Sequence, residues 1–171
     1  MPYRAGRGQN LARYGKAECY DDSAAGLRRA ALRMARPRDP SHQLASSKGD
    51  IHLSWPRPEV LLVRLTGHFD MKLGKFMLDA ATRCLDQQKR VQVFCDWSDA
   101  TGYDSDVRVS FTNWVASNQG RTKFHMLVTS KIVAMGVSVA NLALGGSLAV
   151  FNNRPAFESA LRVAKSGLPS A

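Results

Sequence analysis

A chain of 171 residues that is 44% hydrophobic can fold as one domain with its own core plus a tail, and is too short for two ordinary domains. Its three cysteines (Cys19, Cys84 and Cys95) form no CxxC pair and its four histidines are scattered, which excludes a disulfide scaffold and a zinc cluster and points to a reducing, cytoplasmic setting. The net charge of +10 is uneven: residues 1–50 hold 10 Lys/Arg against 5 Asp/Glu, and residues 51–171 hold 14 against 9, so each part carries +5.

Residues 1–48 read as a flexible basic tail, rich in Arg, Gly, Ser, Ala and Pro. Within it Leu27, Ala30, Ala31 and Met34 have helical spacing, so Ser23–Ala35 is a candidate short basic helix that Pro37 and Pro40 end. Such a tail can hold nucleic acid or acidic lipid by charge alone. A solvated tail is the ordinary outcome of this composition, and nucleic acid is not the expected partner. Glu18, Asp21 and Asp22 set the segment apart from the acid-poor presequences of organelle proteins. No run of about 18 apolar residues occurs, so no transmembrane helix is expected.

Regular pattern begins at Ile51, and the folded domain is placed at residues 51–168. Ile51–Trp55 alternates as a half-buried strand, Pro56-Arg57-Pro58 turns the chain, and Glu59–Thr66 forms a second, more buried strand. Gly67 ends it and Asp70 caps a helix whose apolar face is Leu73, Phe76, Met77, Ala80, Ala81 and Cys84. Val91–Cys95 is the next strand, and Asp96–Tyr103 reads as a polar loop. Asp104 or Ser105 then caps a helix with Val107, Phe111, Trp114 and Val115 inward. Phe124–Val128 is a strand. Ser130 caps the helix Lys131–Leu144, which is apolar on most sides and is expected to be buried, the alternatives being a dimer surface or an apolar ligand groove. Leu148–Phe151 is a short strand, and Asn153 with Pro155 opens a last helix that Gly167 closes. The fold class is therefore α/β: a mostly parallel sheet of about five strands with about four helices, an N-terminal β-hairpin and the order ββαβαβαβα.

The segment densest in chemistry is Asp96-Trp97-Ser98-Asp99-Ala100-Thr101-Gly102-Tyr103-Asp104-Ser105-Asp106, placed after a strand C-terminus, where parallel sheets carry their functional edge. It resembles the signature of STAS domains, the family of anti-sigma-factor antagonists, whose pattern runs D-L-S-x-x-x-x-(aromatic or aliphatic)-D-S-S-G. Asp96 and Ser98 match the first Asp and Ser, and Asp104 and Ser105 match the Asp-Ser pair. The element order and leading hairpin resemble the broader SpoIIAA-like group. The family's phosphorylated Ser falls at Asp106 here, and its following Gly at Val107. Asp106 then holds a permanent charge where the family gains one reversibly, or Ser105 becomes the phosphoacceptor.

The resemblance implies a non-enzymatic regulatory module. Its interaction surface would comprise Asp96, Trp97, Ser98, Tyr103, Asp104, Ser105, Asp106 and Arg108, and its partner would be a kinase-like anti-sigma factor or another signalling protein. Beside it stand a binder of an apolar small molecule or lipid, and a homodimer. Asp104 and Ser105 equally suit plain helix caps, and Trp114 has core spacing, whereas Trp97 on its loop is expected at the surface. Arg108 in a helix's first turn opposes the dipole, so a partner is expected for it: Asp104 or an anionic ligand. No P-loop, GxSxG or GxGxxG occurs, and no catalytic residue, metal or cofactor is expected.

Overall fold

The structure, a computed structural model, describes residues 42–167. Cys19 and the candidate helix Ser23–Ala35 lie outside the described residues. Six strands form one sheet: β1 (Gln43–Ala45), β2 (Gly49–Arg57), β3 (Val60–Phe69), β4 (Val91–Tyr103), β5 (Thr122–Val128) and β6 (Leu148–Phe151). Four helices alternate with the later strands: α1 (Met71–Gln87), α2 (Ser105–Ser117), α3 (Lys131–Ala143) and α4 (Arg154–Ser166). Strands β1 to β3 are antiparallel, and β3 to β6 are parallel. The expected α/β order is present, with one strand more than the pattern shows. The short β1 pairs Gln43–Ala45 with His52–Asp50, so regular structure begins before Ile51. Three residues carry too little periodicity to read as a strand.

Strands lie side by side in chain order, β1 to β6. Right-handed crossovers between successive parallel strands then put α1, α2 and α3 on one face of the sheet. The larger core sits there, joining Leu73, Met77 and Ala81 of α1, Val107 and Phe111 of α2 and Val133 and Val137 of α3 to inward residues of the strands. Only α4 follows the last strand onto the other face. Its Phe157, Leu161 and Ala164 pack on Val60, Leu62, Phe94 and Leu127. The Phe94 and Phe157 rings meet edge-on, 5.7 Å between centroids.

Local signals account for several helix ends. The Asp70 carboxylate accepts from the Leu73 amide at 3.0 Å, and the Asn153 side chain accepts from the Ala156 amide at 2.9 Å. Gly167 closes α4 at φ 73°, a left-handed conformation that disfavours a side chain. Ser130 occupies the cap position of α3 but its hydroxyl makes no capping bond.

The α1–α2 contact depends on a missing side chain. A Cβ on Gly74 would overlap a methyl of the buried Val107 on α2. Gly74→Val is expected to destabilise the domain by about 2–3 kcal/mol, as overpacking of a filled contact does. Urea unfolding reads this as a lower midpoint at constant slope. An unchanged midpoint would show that the two helices separate at little cost.

Candidate functional site

The segment expected to be a loop after Cys95 is strand. β4 continues alongside β3, pairing Arg64 with Asp96, Thr66 with Asp99, Gly67 with Ala100, His68 with Gly102 and Phe69 with Tyr103. The register slips twice, because β4 uses an extra residue between Asp96 and Asp99 and another between Ala100 and Gly102. Such bulges break the two-residue alternation and hide a strand from pattern reading.

The pleat sends neighbouring side chains of β4 to opposite faces. Trp97 therefore points into the larger core. It is 5% exposed, its ring centroid is 4.8 Å from that of Phe69, and the expected surface role does not hold. Asp96 points to the α4 face and is nearly buried. Arg154 grips it with a fork, Nη1 donating to Oδ2 at 2.9 Å and Nη2 to Oδ1 at 3.3 Å. The Ser98 hydroxyl donates to Oδ1 at 2.8 Å, and Arg154 Nη2 also donates to Ser98 Oγ at 2.8 Å. Burial pushes the Asp96 carboxyl up, but the Arg154 guanidinium and the Ser98 hydroxyl and amide outweigh it and hold it below the ordinary range. Arg154 is absent from the sequence-based site. Its signal was available: like Arg108, it is a cation at a helix N-terminus and so needs an acidic partner.

A second cluster forms around Asp104 on α2's leading edge. Asp104 occupies the cap position, yet its carboxylate does not cap. It accepts from His68 Nε2 at 2.8 Å and from Lys48 Nζ at 3.3 Å on each oxygen. Hydrogen bonds from His68 and then Lys48 hold its carboxyl below the ordinary range. Of the two partners expected for Arg108, Asp104 or an anionic ligand, Asp104 does not pair with it. Arg108 is half-buried and its Nε has no hydrogen-bond partner among the described residues.

Ser105 and Asp106 are exposed in the first turn of α2. The Asp106 charge suits that end of the helix dipole. Tyr103 is not a free aromatic. Its ring lies against Gly136, where any Cβ would overlap it, so it ties the end of β4 to α3. The eight expected site residues thus divide, Arg108 being half-buried with its Nε unpartnered among the described residues. Asp96 and Ser98 serve α4, Trp97 is core, Tyr103 is a tether, Asp104 holds Lys48 and His68, and Ser105 and Asp106 face outward.

Helix α3 corrects the expectation of full burial. Val133, Gly136, Val137 and Ala140 are buried, but Ile132, Met135, Val139 and Leu142 face outward, Met135 being 71% and Leu142 84% exposed. Val109 of α2 is also exposed. A groove of about 170 Å³ runs between the two helices, lined by Val109, Thr112 and Asn113 on one side and Val139, Ala140 and Ala143 on the other. Ser105 and Asp106 lie one turn before Val109, on the same side of α2. A charged helix start and an apolar stripe therefore form one surface.

Beneath α3 lies an apolar cavity of about 30 Å³, lined by Phe69, Trp97, Val107, Val133 and Val137 among others. That space holds roughly one or two waters. Burial pushes the Cys95 thiol far up, leaving it unreactive. No helix among the described residues is long and apolar enough to cross a membrane, and no group of three or more His, Cys, Asp or Glu among them could hold a metal.

No protein-family model and no curated protein sequence matches the chain. Solved structures do. One is an uncharacterised protein of the DUF3478 family with a SpoIIAA-like fold from Shewanella loihica PV-4, at 14% identity and TM-score 0.53, covering 69% of this chain and 98% of that one. Another is an anti-sigma factor antagonist from Mycobacterium paratuberculosis, at 12% identity and TM-score 0.50, covering 72% of this chain and 97% of that one. At such identities the likeness defines architecture, and the described domain has a SpoIIAA-like, STAS-type α/β fold.

Proposed function

We propose that the chain is a non-enzymatic regulatory module whose protein partner docks on the joined outer faces of α2 and α3. The observation that carries this reading is the apolar stripe Val109, Val139, Met135 and Leu142, left exposed beside the charged turn Ser105–Asp106. Exposed large apolar side chains gathered in one patch mark interaction surfaces. The partner of this chemistry is a protein with an apolar patch and a basic group opposite Asp106. The likeness to an anti-sigma factor antagonist supports an anti-sigma factor or a related signalling protein in that role.

Ser105 is the proposed phosphoacceptor. A phosphate there would add roughly −1.5 to −2 of charge beside Asp106, at a helix N-terminus whose dipole favours it. Charge at the rim of an apolar contact adjusts affinity and association rate while leaving the fold intact.

The test starts by capturing the partner through a photo-crosslinker placed at Val139. Its affinity for the wild type, Ser105→Glu and Asp106→Ala is then measured by calorimetry. A change of about tenfold is expected in each variant, with unchanged circular dichroism. Equal affinity in all three would overturn the switch.

A further inference from the structure

The opposite face of the sheet carries a feature that this docking surface does not use. Among the described residues only α4 covers that face, where it packs on residues of β3, β4 and β5. Where β3 emerges from under it, α4 and the sheet enclose a cleft of about 310 Å³. Its floor is apolar, made by the buried Leu62, Phe157 and Leu161. Its walls are charged: Arg64 on β3 and Arg154, Arg162 and Lys165 on α4, against Asp96 and Glu158.

The charges do not cancel. Arg154 engages both acids, at 2.9 Å from Asp96 and 3.8 Å from Glu158. Arg64, Arg162 and Lys165 have no ion-pair partner among the described residues. Arg64 stands in register with Asp96, but Arg154 already holds that carboxylate, and Asp50, which lines a neighbouring depression with Arg64, makes no salt bridge to it. Arg162 and Lys165 lie three residues apart on α4 and so share its side. With Arg154, the three cations leave the cleft two positive charges in excess of Asp96 and Glu158, which favours an anion. Guanidinium groups present paired donors that match a phosphate or carboxylate. The volume falls at the lower end of small-molecule sites, and with six charged residues around three apolar ones the lining suits an anionic group more than an apolar body.

We infer that this cleft binds a small organic anion: a phosphate or carboxylate group carried on an apolar body. Arg64, Arg162 and Lys165 hold the anionic group. Leu62, Phe157 and Leu161 cover the apolar part. Arg154, locked to Asp96 and Ser98, forms the wall between the ligand and the end of β4.

The experiment is a titration of the full chain, labelled with nitrogen-15, using phenyl phosphate and, in parallel, inorganic phosphate. Saturable amide shifts are expected on β3 and α4 around Arg64, Leu161 and Lys165. Phenyl phosphate should bind about tenfold more tightly, because its ring removes apolar floor from water. Arg64→Ala and Arg162→Ala should each weaken binding about tenfold. Both residues are exposed, so the variants retain the fold, which circular dichroism checks. Lys89→Ala, an exposed cation that does not line the cleft, should change nothing. Shifts that fail to saturate by about 10 mM, or that respond equally to Lys89→Ala, would overturn the inference. So would equal affinity for the two phosphates, or protection of the same residues by a single-stranded oligonucleotide with none by phenyl phosphate.

Discussion

Met135→Asp combined with Leu142→Asp is expected to weaken partner binding by at least about 100-fold while leaving the unfolding midpoint unchanged. Both side chains point to solvent in the free domain, so the native state loses little when they become polar. In the complex they would be covered, and each large apolar side chain removed from water contributes about 1.5–3 kcal/mol. A carboxylate in its place must also shed water without a partner. The measurement pairs calorimetric affinity for the captured partner with urea unfolding of the variant alone. Intact affinity would remove α3 from the interface. Val133→Asp is the internal control, since Val133 shares the helix but points into the core, and its variant should fail to fold. Sedimentation of the wild type separates the remaining occupant of this face. A concentration-dependent dimer that the double substitution dissolves would identify a second copy of the chain instead.

Acid is expected to cost the domain up to roughly 3 kcal/mol through a single residue, His125, as pH falls from 6.5 to about 4. His125 lies on β5, nearly buried, stacked on Phe94 with ring centroids 4.2 Å apart and planes 2° from parallel. Its Nε2 meets Gln92 Oε1 at 3.2 Å, and its Nδ1 has no partner among the described residues. Burial, with repulsion from Lys123 adding to it, pushes the imidazole down from 6.5 to about 4. Between those pH values the unfolded chain binds a proton that the folded chain does not, so stability falls as pH falls. Below about 4 both states are protonated and this loss levels off. Asp96, whose carboxyl is also held low, adds its own loss only at lower pH. His125→Phe keeps a flat ring on Phe94 and cannot titrate. Its stability should be nearly flat across the same interval, by urea unfolding at successive pH values. A variant that retains the wild-type slope would place the acid sensitivity elsewhere.

Much of the architecture was legible because it rests on short-range rules. The three- and four-residue spacing of Leu73, Met77, Ala80 and Cys84 marks the buried side of α1 wherever that helix packs. Asp70, Asn153 and Gly167 act on backbone within a few residues, and all three do what their side chains, or the lack of one, dictate. The candidate site was less legible. Asp96, Ser98, Asp104 and Ser105 stand out as residue types, but their partners are Arg154, Lys48 and His68. Lys48 and Asp104 are 56 residues apart, and Asp96 and Arg154 are 58 apart. No local spacing encodes such pairs.

The sequence by itself determined the alternation of strands and helices, the inward side of each amphipathic helix and the caps at Asp70, Asn153 and Gly167, since periodicity and capping act within a turn or a pleat. Only the tertiary structure decided that β4 runs on past Asp96, because its ladder with β3 forms despite two bulges. The same ladder turned Trp97 inward and Asp96 toward α4. Tertiary structure also decided the fate of α3, which is apolar on two sides. One side met α2 and the sheet, and with the opposite face of the sheet already reserved for α4, nothing among the described residues covers the other.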